Sequence, residues 1–339
     1  MAAKSTPRVL LIGSGIHRQF GAPRESPAAD WRALLIELAK VSGLRRWEPP
    51  TSGFSDAWES LVLAVMSMPP KPEVRKRVKS KEPIAAHEVE GNLRRRAGEV
   101  LEKSREYGHF SVGGQQVLDA IRRMAKAGPL HIIDFNYDMT LASALGVETM
   151  PEVPSTLIRV KRGRVGSGAV LRSSDVESLY TRAEACGAGE IYIWKPHGHL
   201  GKPKTIRMGL RDYGLMPAVI DYAYSHLKQV EREWSGGSSM SHQRLCQAKL
   251  TALTRAKSRH RADTWVAHAI TFECFAIGMG LSEHEWGLRW LLAQRRRNYA
   301  RRGKEPKFTH LMAREESNML GVRSRVFQSW NTAWKRLGT

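Results

Sequence analysis

Cysteine is scarce: only Cys186, Cys246 and Cys274 occur in 339 residues, and no two share a CxxC spacing. That scarcity excludes a disulfide framework and a four-cysteine zinc site. Cys274, inside an apolar run, reads as packed core. His197 and His199 stand close together, but no cysteine or third histidine nearby completes a ligand set, so no metal is expected. No apolar run reaches the ~18 residues that a membrane-spanning helix needs, and the amino terminus lacks a charged-then-apolar leader. The expectation is a soluble, cytoplasmic protein with no membrane partner. Acidic residues are also in deficit, 33 against 54 Lys and Arg, which leaves a formal charge of +21. This imbalance favours polyanionic partners, nucleic acid among them. The excess concentrates in Lys71 to Lys81, Arg94 to Arg96, Lys249 to Arg261 and Arg295 to Lys307. Aromatic residues are not interleaved with these runs as a single-strand stacking platform requires, and solvated helix faces explain them equally well.

What is present is enough apolar sequence, 42% of residues, for a large packed interior. Arg8 to Ile12 reads as a buried parallel strand and Asp30 to Ser42 as an amphipathic helix. Further strands are expected at Leu130 to Asn136, Glu190 to Lys195, Ala269 to Gly278, Phe308 to Ala313 and Val322 to Phe327. Helical patterns separate them, including Tyr213 to about Trp234, one ending near Arg297, and a closing helix from Trp330. The alternation predicts an α/β fold: one doubly wound, Rossmann-like, mostly parallel sheet spanning residues 1–339. Insertions are expected at 49–127 (helical), 150–189 (irregular) and 235–262 (basic, helical).

The most informative stretch is Leu10 to Pro23, where an apolar strand enters a turn carrying Gly13, Gly15, Gly21 and Pro23. Glycine lets backbone approach a pyrophosphate closely, and N–H groups free at such a turn cradle anions. Arg18 stands where a dinucleotide fingerprint wants its third glycine, so a plain tight turn is an even alternative. Doubly wound sheets bind ligands at the carboxyl ends of their strands. The Gly13 turn, Asn136-Tyr137-Asp138, His197-Gly198-His199 and Gly278 to Glu283 all follow strands at that rim. Singly, each has a structural explanation: Asn136 and Asp138 as caps, His197 as a loop histidine, Gly278 and Gly280 as turns.

In that order the blocks resemble the sirtuin-like NAD-hydrolase domains of bacterial antiphage defence systems, relatives of the sirtuin deacylases. Gly13, Gly15, Gly21 and Pro23 match the family's Gly-x-Gly, five residues, Gly-x-Pro; Asn136, Tyr137 and Asp138 match its Asn-Tyr-Asp. His197-Gly198 behind Lys195 matches its His-Gly, and Asp212-Tyr213 resembles its downstream Asp-Tyr. Gly278-Met-Gly-Leu-Ser-Glu283 is similar to its closing Gly-Tyr-Ser-Leu-x-Asp. His17 replaces a small hydroxyl residue, and Gly280 and Glu283 replace Ser and Asp. No zinc module is present, so acyl-lysine chemistry is not expected.

The resemblance implies an NAD glycohydrolase with NAD as substrate, acting in abortive infection and held inactive by a regulatory partner protein or a ligand, often as a homo-oligomer. Breaking the bond from nicotinamide to ribose builds oxocarbenium-like charge, and the ring departs neutral. An amide suits the orienting of water and ribose, a role assigned to Asn136. An imidazole near its ordinary pKa of about 6.5 suits proton removal, a role assigned to His197 with His199 as competitor. Asp138 would support the ribose or the developing charge. Gly13, Ser14 and Gly15, with His17 or Arg18 as cation, would lie against the pyrophosphate; Gly21, Pro23, Gly278, Gly280, Ser282 and Glu283 are further residues expected to bind the dinucleotide. The alternatives are a non-catalytic subunit binding nucleic acid through its basic regions, and an ADP-ribosyl transferase.

Overall fold

β1 (Arg8–Ile12) is Arg-Val-Leu-Leu-Ile, and Val9 to Ile12 are fully buried, as a strand covered on both faces must be. In the computed structural model, residues 6–23, 25–51, 53–68, 86–103, 111–160, 170–185, 190–235, 261–279, 285–299, 306–312 and 323–326 are described. Around β1 they form one seven-stranded sheet in the order β3-β4-β2-β1-β5-β6-β7. Its other strands are β2 (Leu130–Asp134), β3 (Arg182–Ala185), β4 (Ile191–Trp194), β5 (Glu273–Ile277), β6 (Phe308–Met312) and β7 (Arg323–Val326). Every pairing is parallel except β3 with β4. With that reversed edge strand set aside, the parallel strands run third, second, first, fourth, fifth, sixth in chain order. This is the doubly wound α/β arrangement expected from the sequence, and its direction of winding reverses between β1 and β5.

Both faces of the sheet are covered by helices. On one lie α9 (Leu210–Ser235), α10 (Trp265–Thr271) and α11 (Trp286–Tyr299), packed on Val9, Leu11, Ile133 and Trp194. On the other, Leu10, Ile12, Ile132 and Ile193 meet α5 (Val112–Lys126) and the short α6 (Thr140–Ala144). Side-chain caps define where several helices start: Ser111 Oγ accepts from Gly114 N at 3.1 Å and Thr264 Oγ1 from Ala267 N at 3.1 Å.

A third core lies apart from the sheet faces. It joins α2 (Trp31–Val41), α3 (Phe54–Met66) and α4 (Ala86–Lys103) through Leu35, Leu38, Trp58, Leu61 and Leu93. Each such side chain contributes about 1.5–3 kcal/mol on burial. The expected 49–127 insertion is therefore divided: α5 is a covering helix of the sheet, whereas α3 and α4 join α2 in a separate helical layer.

Other expectations change in detail. Ala269 to Thr271 belong to α10 rather than to the fourth strand, because Thr264 caps a helix there and a fully buried apolar run carries no period to tell helix from strand. The 150–189 stretch is not wholly irregular, since α7 (Ser155–Ile158), α8 (Ser173–Glu177) and β3 lie in it. Arg295 is no solvated basic residue. Fully buried, its guanidinium donates to the carbonyls of Ala269, Phe272 (2.8 Å), Pro306 (2.6 Å) and Lys307 (3.2 Å), closing the carboxyl end of α10. Cys274 is buried in β5. The closing helix from Trp330 and most of the basic runs near 71–81 and 249–261 lie outside the described residues, among which no helix is long and apolar enough to cross a membrane.

Candidate active site

Strand register sets the site. Ile12 lies beside both Asp134 and Ile277, and Ile133 beside Trp194, so Gly13, Phe135, Gly278 and Lys195 leave the sheet together along one rim. At the winding reversal the first and last glycine turns interlock. Gly13 N donates to Ile277 O and Gly15 N to Gly278 O, both at 3.0 Å. A Cβ on Gly13 would stand 2.4 Å from the Gly278 oxygen, and one on Gly15 2.9 Å from the Gly278 Cα. Gly278 itself has φ +64°, open to glycine at little cost.

This corrects the expected phosphate cradle. The amides of Gly13, Gly15, Ile16 and His17 are all bonded within the protein, so these glycines serve backbone packing across the β1–β5 seam. Ser14, exposed at the tip, is the residue of that turn facing the cleft with its amide unbonded among the described residues.

The Asn136 loop is fixed from several sides. Asn136 Nδ2 donates to Gly13 O at 3.3 Å, tying the second strand exit to the first. One of the two amide hydrogens is thus committed to the protein, and the side-chain oxygen can meet a ligand or water. Asp138 is not the open carboxylate expected: Oδ1 accepts from Thr140 N at 2.8 Å, and Oδ2 is paired with His17 Nε2 at 3.0 Å. Burial favours the neutral forms of both partners. The pair's mutual charge and hydrogen bond outweigh it, raising His17 and holding Asp138 below the ordinary carboxylate range. His17 is consumed by this pair and is no phosphate cation. Beneath the loop, the fully buried Lys195 donates to Asp134 Oδ2 at 2.6 Å, to Asn136 O at 3.0 Å and to Asp138 O. Burial pushes the Asp134 carboxyl up.

His197 arrives from β4 through a turn that only glycine completes. Gly198 has φ +82°, and a Cβ there would lie 2.2 Å from Thr205 O. That turn also resolves the competition with His199. The backbone is not extended between the two histidines, so they diverge, and only His197 lines the cleft. Burial first, then the Arg207 cation, push the His197 pKa down to about 3, against the value near 6.5 expected from sequence. The imidazole is neutral at physiological pH. In the neutral ring one nitrogen donates and the other accepts.

Between the sheet rim and the helical layer these groups line a half-open cleft. Gly13, Ser14, Asn136, Asp138 and Gly278 form the sheet side; Ala28, Trp31, Phe54 and Leu101 form the helical side; Phe135, His197, Tyr213 and Glu285 form the inner end. A run of rings crosses it in edge-on contacts: Trp31 to Phe54 at 5.8 Å, Phe54 to Tyr213 at 6.0 Å, Tyr213 to His197 at 5.4 Å and His197 to Phe135 at 5.1 Å between centroids. The Tyr137 hydroxyl donates to Arg207 O at 2.8 Å, and burial raises the pKa of both Tyr137 and Tyr213.

Gly15, His17, Arg18, Gly21 and Pro23 do not line the cleft. Gly21 instead lies against Ser111 at the start of α5, with φ +92°. Gly280, Ser282 and Glu283 lie outside the described residues. Sequence reasoning missed Asp134, Phe135, Arg207, Glu285 and the helical wall. Asp134 had a signal, a carboxylate ending an apolar strand; the wall had none, because Trp31 and Phe54 look like ordinary core of amphipathic helices. Among the described residues no three His, Cys, Asp or Glu side chains form a metal-sized group. Compared with protein-family models, curated proteins and solved structures, the chain matches none.

Proposed function

We propose that the chain is an NAD glycohydrolase, cleaving NAD to nicotinamide and ADP-ribose. The observation that carries this reading is the meeting of Gly13, Asn136 and His197, from three separate strands, in one cleft at the winding reversal of the sheet. Such reversals are where doubly wound folds hold dinucleotides.

The chemistry asks little covalent work of the protein. The bond from ribose C1′ to the nicotinamide nitrogen breaks, and its electron pair neutralises the departing pyridinium. Water then adds to C1′ and a proton is released. Asn136 Oδ1 orients that water or a ribose hydroxyl, while the neutral His197 nitrogen accepts the second hydrogen bond. The pyrophosphate falls to Ser14. The aromatic run from Trp31 to His197 supplies an apolar, water-poor wall and limits competing nucleophiles. By the family resemblance, the activity serves antiphage defence and is restrained until a partner protein or ligand triggers it.

The test is nicotinamide release from NAD by pure protein, alone and with the product of a neighbouring gene. Asn136→Ala and His197→Ala should each lose about 10²–10⁴-fold in rate while still folding cooperatively. Equal release by wild type and Asn136→Ala rejects the assignment. Nicotinamide without free ADP-ribose would make the chain a transferase.

A further inference from the structure

The polar chemistry under the cleft is more elaborate than the fold needs. Lys195 has no exposed surface, and its three ammonium hydrogens meet three acceptors: Asp134 Oδ2 and the backbone oxygens of Asn136 and Asp138. Asp134 completes the arrangement by accepting from Asn136 N through Oδ1 at 3.0 Å. The carbonyl between the two is held as well, since Leu200 N donates to Tyr137 O at 2.9 Å. The loop's three carbonyls therefore alternate: two drawn inward to one ammonium, one drawn out to the neighbouring strand exit. A buried ion pair is weak evidence for stability, because apolar residues of similar volume often replace one without loss. A pair kept only for packing has no need to aim two bonds at the loop that carries Asn136.

We propose that Lys195 is a positioning residue: by holding the Asn136 and Asp138 carbonyls inward it turns the Asn136 side chain to Gly13 and the cleft. The catalytic part of the claim rests on the glycohydrolase reading; the claim about loop geometry does not. Removing either charge alone strands its partner in the interior, so the informative protein is the double variant Asp134→Asn with Lys195→Met. It leaves neither charge of this pair stranded, keeps an acceptor for Asn136 N and withdraws the ammonium from the Asn136 and Asp138 carbonyls.

Three measurements on the full chain decide the matter. Denaturant unfolding should show the double variant folded and cooperative, with a lower midpoint than wild type from the two carbonyls left without a donor. Hydrogen exchange should quicken at the amides of Asn136 to Thr140 with the rest of the sheet unchanged. Nicotinamide release should fall about 100-fold in kcat, the scale of an ~1 Å displacement of a reacting group, with KM within about threefold. Adding Asn136→Ala should then cost little more, since the two changes disable the same group. Wild-type exchange and a kcat within threefold of wild type overturn the proposal. So does a double variant that fails to fold, because Lys195 would then serve the fold itself. If wild-type protein releases no nicotinamide, the glycohydrolase reading fails, and exchange at Asn136 to Thr140 still decides whether Lys195 sets the loop.

Discussion

Replacing Gly13 by alanine separates two explanations of the glycine-rich turn. If the glycine exists so that a phosphate can approach, the variant folds normally and loses nucleotide affinity. If it exists to let β1 and β5 exits interlock, the fold itself suffers. The added methyl would lie 2.4 Å from Gly278 O and 2.8 Å from Met279 Cγ. The first of these is backbone and is already bonded to Gly15 N, so it cannot swing aside as a side-chain tip would. Opening the seam costs about 1–3 kcal/mol as overpacking, and weakening the two bonds across it costs about 1 kcal/mol more. For 339 residues, an unfolding entropy of about 2.1 cal/mol/K per residue makes each kcal/mol worth about 1.4 °C. Gly13→Ala should therefore melt about 3–6 °C below wild type, with a lower denaturant midpoint and an unchanged slope. Gly91→Ala, within α4 where a Cβ meets nothing within 4 Å, is the control and should gain about 0.5–1 kcal/mol from helix propensity. A Gly13→Ala protein that melts within 1 °C of wild type but no longer binds NAD refutes the interlocking argument.

The pH dependence is expected to follow the buried histidines. Burial lowers His131, His197, His199 and His310 in the folded protein, so the unfolded chain takes up protons first below about pH 6.5. Their stabilisation is complete above that pH and is lost on acidification. His17, raised by Asp138, acts oppositely: its contribution is present below pH 6.5 and disappears as pH rises through its folded pKa. Denaturant titrations should show stability falling by at least ~2 kcal/mol from pH 7 to pH 5; a flat profile contradicts these assignments. In kinetics, kcat/KM should show no acid limb near pH 6.5 that disappears in His197→Gln, because the free enzyme already holds that ring neutral. Arg295→Met should cost about 3 kcal/mol or more by leaving buried carbonyls without donors, measurable by denaturant unfolding; an unchanged midpoint would show that those carbonyls find other partners.

The central strands were readable from sequence because they are short, apolar and bounded by glycine or polar exits, whereas the reversed edge strand β3, Arg-Ala-Glu-Ala, carries no such signal; that the parallel strands share one rim followed from one rule about doubly wound folds. The α10–β5 boundary was not readable, since Ala269 to Phe272 is buried at every position and offers no polar alternation to tell helix from strand. The meeting of Gly13, Asn136 and His197 in one cleft was readable from their places directly after strands. Its electrostatics were not. Whether Asp138 faces a ribose or His17, and whether His197 titrates near 6.5 or about 3, depends on desolvation and on neighbours such as Arg207 that sequence distance hides. Glycine was right as a residue type at Gly13 and Gly15 and wrong in its reason, because tight turns around phosphate and tight turns around backbone select the same residue.

The helical layer leaves and rejoins the α/β body at almost one point: Ser111 Oγ donates to Gln19 O where α5 begins. Away from that staple, Arg94 donates to Asp212 Oδ2 at 2.8 Å, Leu210 N donates to Glu59 Oε1 at 3.0 Å, and Ile206 and Met208 pack into the layer's core. One wall of the cleft is thus built by a stretch of chain separate from the strand exits. Rings and loop lengths there can be exchanged, and the chamber reshaped for a different guest, while the strand exits that carry Asn136 and His197 stay as they are.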